Sequence, residues 1–210
     1  MPLPPEEVRG MMIELVNWLN ATTEINAILV SAIAQFQLVH IHPFLDGNGR
    51  TGRMVISFYL WYTQFLENPV LFLSTYFKQN QELYYQKLSD YHNGNIESWI
   101  NFFLEGVIEI AQEAIVTVDK ITLLREKVSQ KIQKLGKRSA ESASKIIPRL
   151  YAQPIINVAV IQAWTGYSRV GAMTVIERFI DLGILTQKDK DVKYGQSYMF
   201  KEYLDIFSSR

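Results

Sequence analysis

Cysteine is absent from the 210 residues. Thiolate nucleophiles and any disulfide framework go with it, and the absence is compatible with a reducing compartment. An excess of charge of either sign is missing too, since 21 Lys and Arg stand against 21 Asp and Glu. So balanced a chain has no overall field with which to hold nucleic acid or an anionic membrane, and any basic site must be local. No stretch approaches the roughly 18 uninterrupted apolar residues of a membrane span. The opening MPLPPEEVRG lacks the basic lead and apolar run of a secretory signal. A soluble protein of the cytoplasm, without a membrane partner, is the expectation. Nothing reads GxxxxGK[ST], which argues against a P-loop kinase or ATPase. The glycine-rich stretch that does occur follows a helical pattern rather than a strand, which argues against a dinucleotide-binding crossover.

What is present is an ordinary globular composition, 48% hydrophobic and 20% charged, enough for one large domain or a medium one plus a small one. Glu6 and Glu7 put negative charge in a first helical turn, and Val8, Met11, Leu15, Trp18 and Leu19 recur at helical spacing. A second helix is expected from Thr23 or Glu24, with Ile28, Leu29, Ile33, Phe36 and His40 along its buried side, and its end delivers the chain to His42. HPFLDGNG then reads as a short irregular connection, because Pro43 disfavours helix before it and DGNG is turn chemistry. From Arg50 to about Phe65 the sequence RTGRMVISFYLWYTQF is apolar nearly all round after its first turn. That pattern predicts a helix buried in the middle of a bundle, ended by Asn68 and Pro69.

Further helical patterns run from about Gln79 to Asp90 and from about Ile96 to Leu135. The polar, small-residue stretch GKRSAESAS at 136–144 predicts a linker. It separates a helical domain over 1–138 from a smaller domain over 145–210. In the smaller one, helices over 145–151, 156–164 and 168–182, a turn at Gly166, and the strands ILTQKD and SYMFKE joined by the polar stretch 189–196 spell a winged helix-turn-helix. The fold class is mainly α: a helical bundle followed by a small domain with a β-hairpin.

The stretch HPFLDGNGRTGR packs a base, a carboxylate, three glycines, an asparagine and two arginines into His42 to Arg53. A loop entering a helix N-terminus aims free backbone N–H groups outward, and Gly47 and Gly49 let that backbone curl into an anion nest. Arg50 and Arg53, three apart, project to one side of the first turn and can grip different phosphates, while Asn48 adds a neutral hydrogen bond. A carboxylate beside phosphates would be repelled without a divalent cation between them, so Asp46 reads as a Mg²⁺ ligand. His42 has the reference pKa suited to a general base near neutrality. Phe44 reads as an anchor packing the loop onto the bundle. His40 and His92 read as structural, and His40 and His42 lack the spacing of a helical zinc pair.

The segment resembles the signature of the Fic family, His-x-Phe-x-Asp/Glu-Gly-Asn-Gly-Arg-x-x-Arg, with every specified position filled. The surrounding QFQLVHIHPFLDGNGR, the downstream ELYYQKL and the helical pattern over about 1–135 resemble the Fic core. The resemblance implies transfer of AMP from Mg·ATP to a Ser, Thr or Tyr hydroxyl of a protein, by a protein adenylyltransferase. His42 would be the base and Asp46 the metal ligand, with Gly47, Asn48, Gly49, Arg50, Thr51 and Arg53 around the phosphates and Arg53 on the terminal one. Tyr84 and Tyr85 would line the nucleotide pocket or serve as core aromatics. The expected partners are a protein carrying the acceptor hydroxyl, the chain itself as target, a second copy in a homodimer, and DNA or protein for the winged helix.

Two further readings stand beside it: a nucleotide-sensing winged-helix regulator that binds DNA, and a Fic enzyme transferring another phosphate-containing group. Residues 145–210 hold nine Lys or Arg against six Asp or Glu, too mild an excess to choose between DNA and protein docking. Members of the family carry, before the first helix, a hairpin flap and often an inhibitory helix of pattern Ser/Thr-x-x-x-Glu-Gly/Asn. This chain begins at a Pro-rich segment resembling the end of the flap, and NFFLEG at 101–106 has Asn where the hydroxyl residue belongs. A fragmentary chain with impaired target docking is the expectation.

Overall fold

The computed structural model describes residues 4–22, 24–68, 71–188 and 195–208, and for Lys137 and Arg138 the backbone alone. By packing, the chain forms two compact units, residues 1–114 and 115–210.

In the first unit, helix α1 (Pro5–Ala21) starts on a proline with Glu6 and Glu7 in its first turn, where negative charge meets the positive end of the helix. Helix α2 (Ala27–Ile41) starts later than expected because the side chain of Asn26 caps it, accepting from the Ile28 N–H at 2.9 Å. Thr23, one of its expected first residues, lies outside the described residues. Helix α3 (Asn48–Tyr62) begins two residues before Arg50 and stops short of Phe65. Gln64, at φ 58°, turns the chain beyond it, and Pro69 lies outside the described residues. Helices α4 (Ser74–Gln79) and α5 (Gln81–His92) follow, the former without a clear sequence signal. Helix α6 (Ile96–Gln133) then runs 38 residues and passes from the first unit into the second.

The core of this unit gathers Phe36 and Ala32 of α2, Ile56 and Leu60 of α3, Phe77, Tyr84, and Trp99, Phe102 and Phe103 of α6. Trp99 is fully buried and its indole N–H donates to the Ala32 carbonyl at 3.0 Å. Helices α2 and α3 approach closely at Gly52, where a Cβ would lie 2.9 Å from Val39 Cγ2 and 3.4 Å from the Gln35 carbonyl oxygen. The expectation of a wholly buried α3 fails. Ile56, Tyr59 and Leu60 face the core, while Met54, Phe58, Trp61 and Tyr62 are about half exposed or more. The core has room for one face of this helix, and its apolar outer face is left to solvent.

The second unit holds the rest of α6, α7 (Lys137–Ala152), β1 (Ile155–Ile156), α8 (Val158–Thr165), α9 (Arg169–Asp181), β2 (Thr186–Gln187), β3 (Tyr198–Met199) and α10 (Lys201–Ser208). The expected linker at 136–144 is instead the first half of α7, where Ala143 is buried with Ile146, Ile147 and Leu150. Leu124 and Val128 of α6 join the same core, so the boundary expected at 138–145 falls inside α6. The turn at Gly166 (φ 73°) and the Ser168 cap of α9 are as the sequence indicates. The three strands form an antiparallel sheet in the order β1-β3-β2. Strand β1 and helix α10 were not expected. Of the polar stretch joining β2 to β3, positions 189–194 lie outside the described residues. Among the described residues no helix is long and apolar enough to cross a membrane.

Candidate active site

Two left-handed residues shape the connection between α2 and α3. His42 closes α2 at φ 56°, ψ 52° while its N–H still bonds the Leu38 carbonyl at 3.1 Å. Few residues other than glycine take this conformation. Pro43 then bars a further helical turn. Gly47, at φ 84°, makes the second corner and opens α3. Asn48 holds what lies between. Its side chain is buried, accepts from the Phe44 N–H at 2.9 Å and donates to the Phe44 carbonyl at 2.6 Å. The Asn48 side chain is therefore a brace across the loop. Phe44 is held by its backbone rather than by its ring, which is about half exposed.

The loop presents charge outward. Asp46 is almost fully exposed; one oxygen accepts from the Gly47 N–H at 2.6 Å and the other lies 3.5 Å from the Arg50 guanidinium. Water screens such a pair, and it separates readily when a stronger anion arrives. The N–H of Thr51 is bonded to the Gly47 carbonyl, as is its hydroxyl. The N–H groups ahead of it in the first turn have no acceptor within the helix, and with the helix dipole they make an anion site. A Cβ on Gly47 or Gly49 would come within 3.5 Å of Arg50 or 3.4 Å of Arg53, respectively. Arg50 and Arg53 line one concavity of about 390 Å³ with Met54, Ser57, Phe58 and Phe72.

His42 is exposed, its Nδ1 lying 3.4 Å from the Val39 carbonyl, and it opens onto a different groove of about 330 Å³ lined by Phe36, Val39, His40, Leu88, Ser89 and His92. All three histidines of the chain thus border one groove. His40 stacks on Phe36 and its ring centroid lies 5.0 Å from that of His92. Burial, then the nearby His92, hold the His40 imidazole below its ordinary range. Leu88 and Ser89 carry no signal in the sequence that places them here, and His92 reads there only as structural, because nothing local to α5 says that its end returns to α2.

The two tyrosines part company. Tyr84 is buried and stacks on Phe77 at 4.8 Å. Its hydroxyl accepts from Gln35 Nε2 at 2.9 Å and meets the Arg53 guanidinium. Tyr85 points outward, 60% exposed. Tyr84 is thus a core aromatic, and Tyr85 stays on the surface.

Among the described residues no group of three or more His, Cys, Asp and Glu could hold a metal unaided. A magnesium ion held by one carboxylate and phosphate oxygens needs no such group, and Asp46, exposed beside an anion site, fits that donor set.

Residues 1–60 match the model of the Fic/DOC family. The chain is 31% identical over 107 residues to the protein adenylyltransferase Fic of Drosophila willistoni, an alignment covering 50% of this chain and 20% of that one. Against the protein of the same name from Culex quinquefasciatus the identity is 32% over 107 residues, with the same coverage. The chain spans about a fifth of the length of these curated relatives. The crystal structure of a Fic family protein from Desulfovibrio desulfuricans superposes with a TM-score of 0.54 at 21% identity, over 95% of this chain and 57% of that one, which is a likeness of fold. The loop from His42 to Arg53, the family match over the segment that contains it, and the shared helical architecture agree: residues 1–60 of this chain are similar to the Fic/DOC family.

Proposed function

We propose that the chain transfers AMP from Mg·ATP to a hydroxyl group of a protein. The observation that carries this reading is the arrangement on one short connection of an exposed imidazole, a helix N-terminus freed for anions by two glycines, and two arginines on its first turn. The names of the relatives support AMP as the transferred group.

In this reading the triphosphate lies on the first turn of α3. Arg50 exchanges Asp46 for a phosphate, Arg53 holds the terminal one, and the released Asp46 would hold Mg²⁺. When bound, the ion neutralises charge on the polyphosphate. The groove between α2 and α5, with the flat faces of His40 and His92 and the apolar Leu88, offers stacking surface beside the loop. His42 accepts the proton of the acceptor hydroxyl as its oxygen bonds to the α-phosphorus. The bond from that phosphorus to the bridging oxygen breaks, and pyrophosphate leaves with the electron pair.

Incubation with Mg²⁺ and ATP labelled at the α-phosphate, with candidate targets, should give labelled protein and an intact-mass increase of one AMP. His42→Ala should abolish the label. Undiminished labelling in that variant would overturn the mechanism, and a different mass increment would identify another transferred group.

A further inference from the structure

Behind the phosphate loop lies a buried polar contact that the proposed chemistry does not use. Gln35, in the middle of α2, is fully buried, yet its Oε1 has no hydrogen-bond partner. Its Nε2 donates to the Tyr84 hydroxyl at 2.9 Å, and that hydroxyl also meets Arg53. An apolar residue would fill the Gln35 position without an orphaned oxygen, and a half-satisfied amide in a core is a burden on stability. The same residue contributes the carbonyl against which Gly52 packs, one position before Arg53. Gln35 of α2 is thereby tied to Tyr84 of α5, whose hydroxyl lies beside Arg53 of α3.

We infer that Gln35 and Tyr84 are positioning residues that hold the Arg53 side chain, through the Tyr84 hydroxyl, in the orientation that meets the terminal phosphate of ATP. An arginine has several rotatable bonds, and fixing it before the ligand arrives removes an ordering cost from binding. The Tyr84 phenol stays un-ionised, since burial raises its pKa more than Gln35 and Arg53 lower it, so it acts as a neutral hydrogen-bonding post.

The inference rests on the phosphate-binding reading of Arg53 but not on AMP transfer. It is tested by measuring the affinities of Mg·ATP and Mg·ADP for the full chain by calorimetry, in the wild type and in Tyr84→Phe, Gln35→Met, Arg53→Ala and Tyr84→Phe/Arg53→Ala. Each single variant at 35 or 84 should bind ATP about tenfold more weakly, the loss of about one hydrogen bond to a charged group, and ADP nearly as the wild type does. The double variant should be no weaker than Arg53→Ala. Additive losses, or an unchanged preference for ATP over ADP in both Gln35→Met and Tyr84→Phe, would overturn the inference. Wild type that binds ATP with this discrimination but labels no protein would overturn the proposed function alone; wild type that binds neither nucleotide would overturn both.

Discussion

Asn48 and His40 show how single side chains set the stability of the segment around the loop. Asn48 satisfies both backbone groups of Phe44, so Asn48→Ala leaves a donor and an acceptor without their partner. The expected loss is about 1–2 kcal/mol of stability, read in a denaturant melt, together with weaker ATP binding as the loop loses its shape. His40 predicts a pH effect of definite sign. Its imidazole is held below 6.5 in the folded chain, so the unfolded chain binds more protons as the pH falls through that value. Stability is full above 6.5 and declines on acidification. The melting temperature should drop between about pH 7.5 and about pH 5.5, and more steeply in the wild type than in His40→Phe. Equal slopes in the two proteins would assign the loss to other groups.

Helix α3 carries the largest difference between what its sequence shows and what the fold does with it. Periodicity reports that a helix is apolar, but not how many neighbours the bundle will supply, and here α2 covers one side while Met54, Phe58, Trp61 and Tyr62 remain outside. Its close contact with α2 at Gly52 gives a direct test. Gly52→Ala would put a methyl group against Val39 and the Gln35 carbonyl, and should cost about 1–3 kcal/mol by pushing two packed helices apart. A melting curve unchanged by that substitution would show that the helices yield without strain. The His42–Arg53 loop was legible in detail because its chemistry is local: Pro43, Gly47 and Gly49 state their backbone requirements in the sequence itself. The Gln35–Tyr84 contact was not, since 49 residues separate its partners and a glutamine inside an apolar helix gives no direction. Helix α7 was hidden for another reason. Its first half is built of small and polar residues, and the buried Ala143 looks in sequence like part of a linker.

At the scale of the whole chain, the division into two units runs through the long helix rather than after it. Leu124 and Val128 of α6 are buried with Ile146, Leu150 and Phe179, so the C-terminal unit owns the second half of that helix. A fragment of residues 115–210 should therefore melt cooperatively, while one of residues 139–210, trimmed at the boundary the sequence suggested, should have lost those two core side chains and be largely unfolded. Each removed leucine or valine contributes about 1.5–3 kcal/mol of burial, a large share of what holds a domain of this size. Circular dichroism on the two fragments decides the matter, and equal stability would place the boundary at the later position.

The left-handed backbone at His42 makes this one residue both the proposed proton acceptor and the corner around which the chain turns. Replacing it with alanine removes two things at once, because alanine is poorly suited to φ 56° and the loop is pushed toward another path. Asparagine tolerates that conformation and cannot serve as a base near neutrality. A comparison of His42→Asn with His42→Ala should therefore separate the share of lost turnover due to proton transfer from the share due to a displaced loop: equal turnover with unequal ATP affinity is the expected pattern.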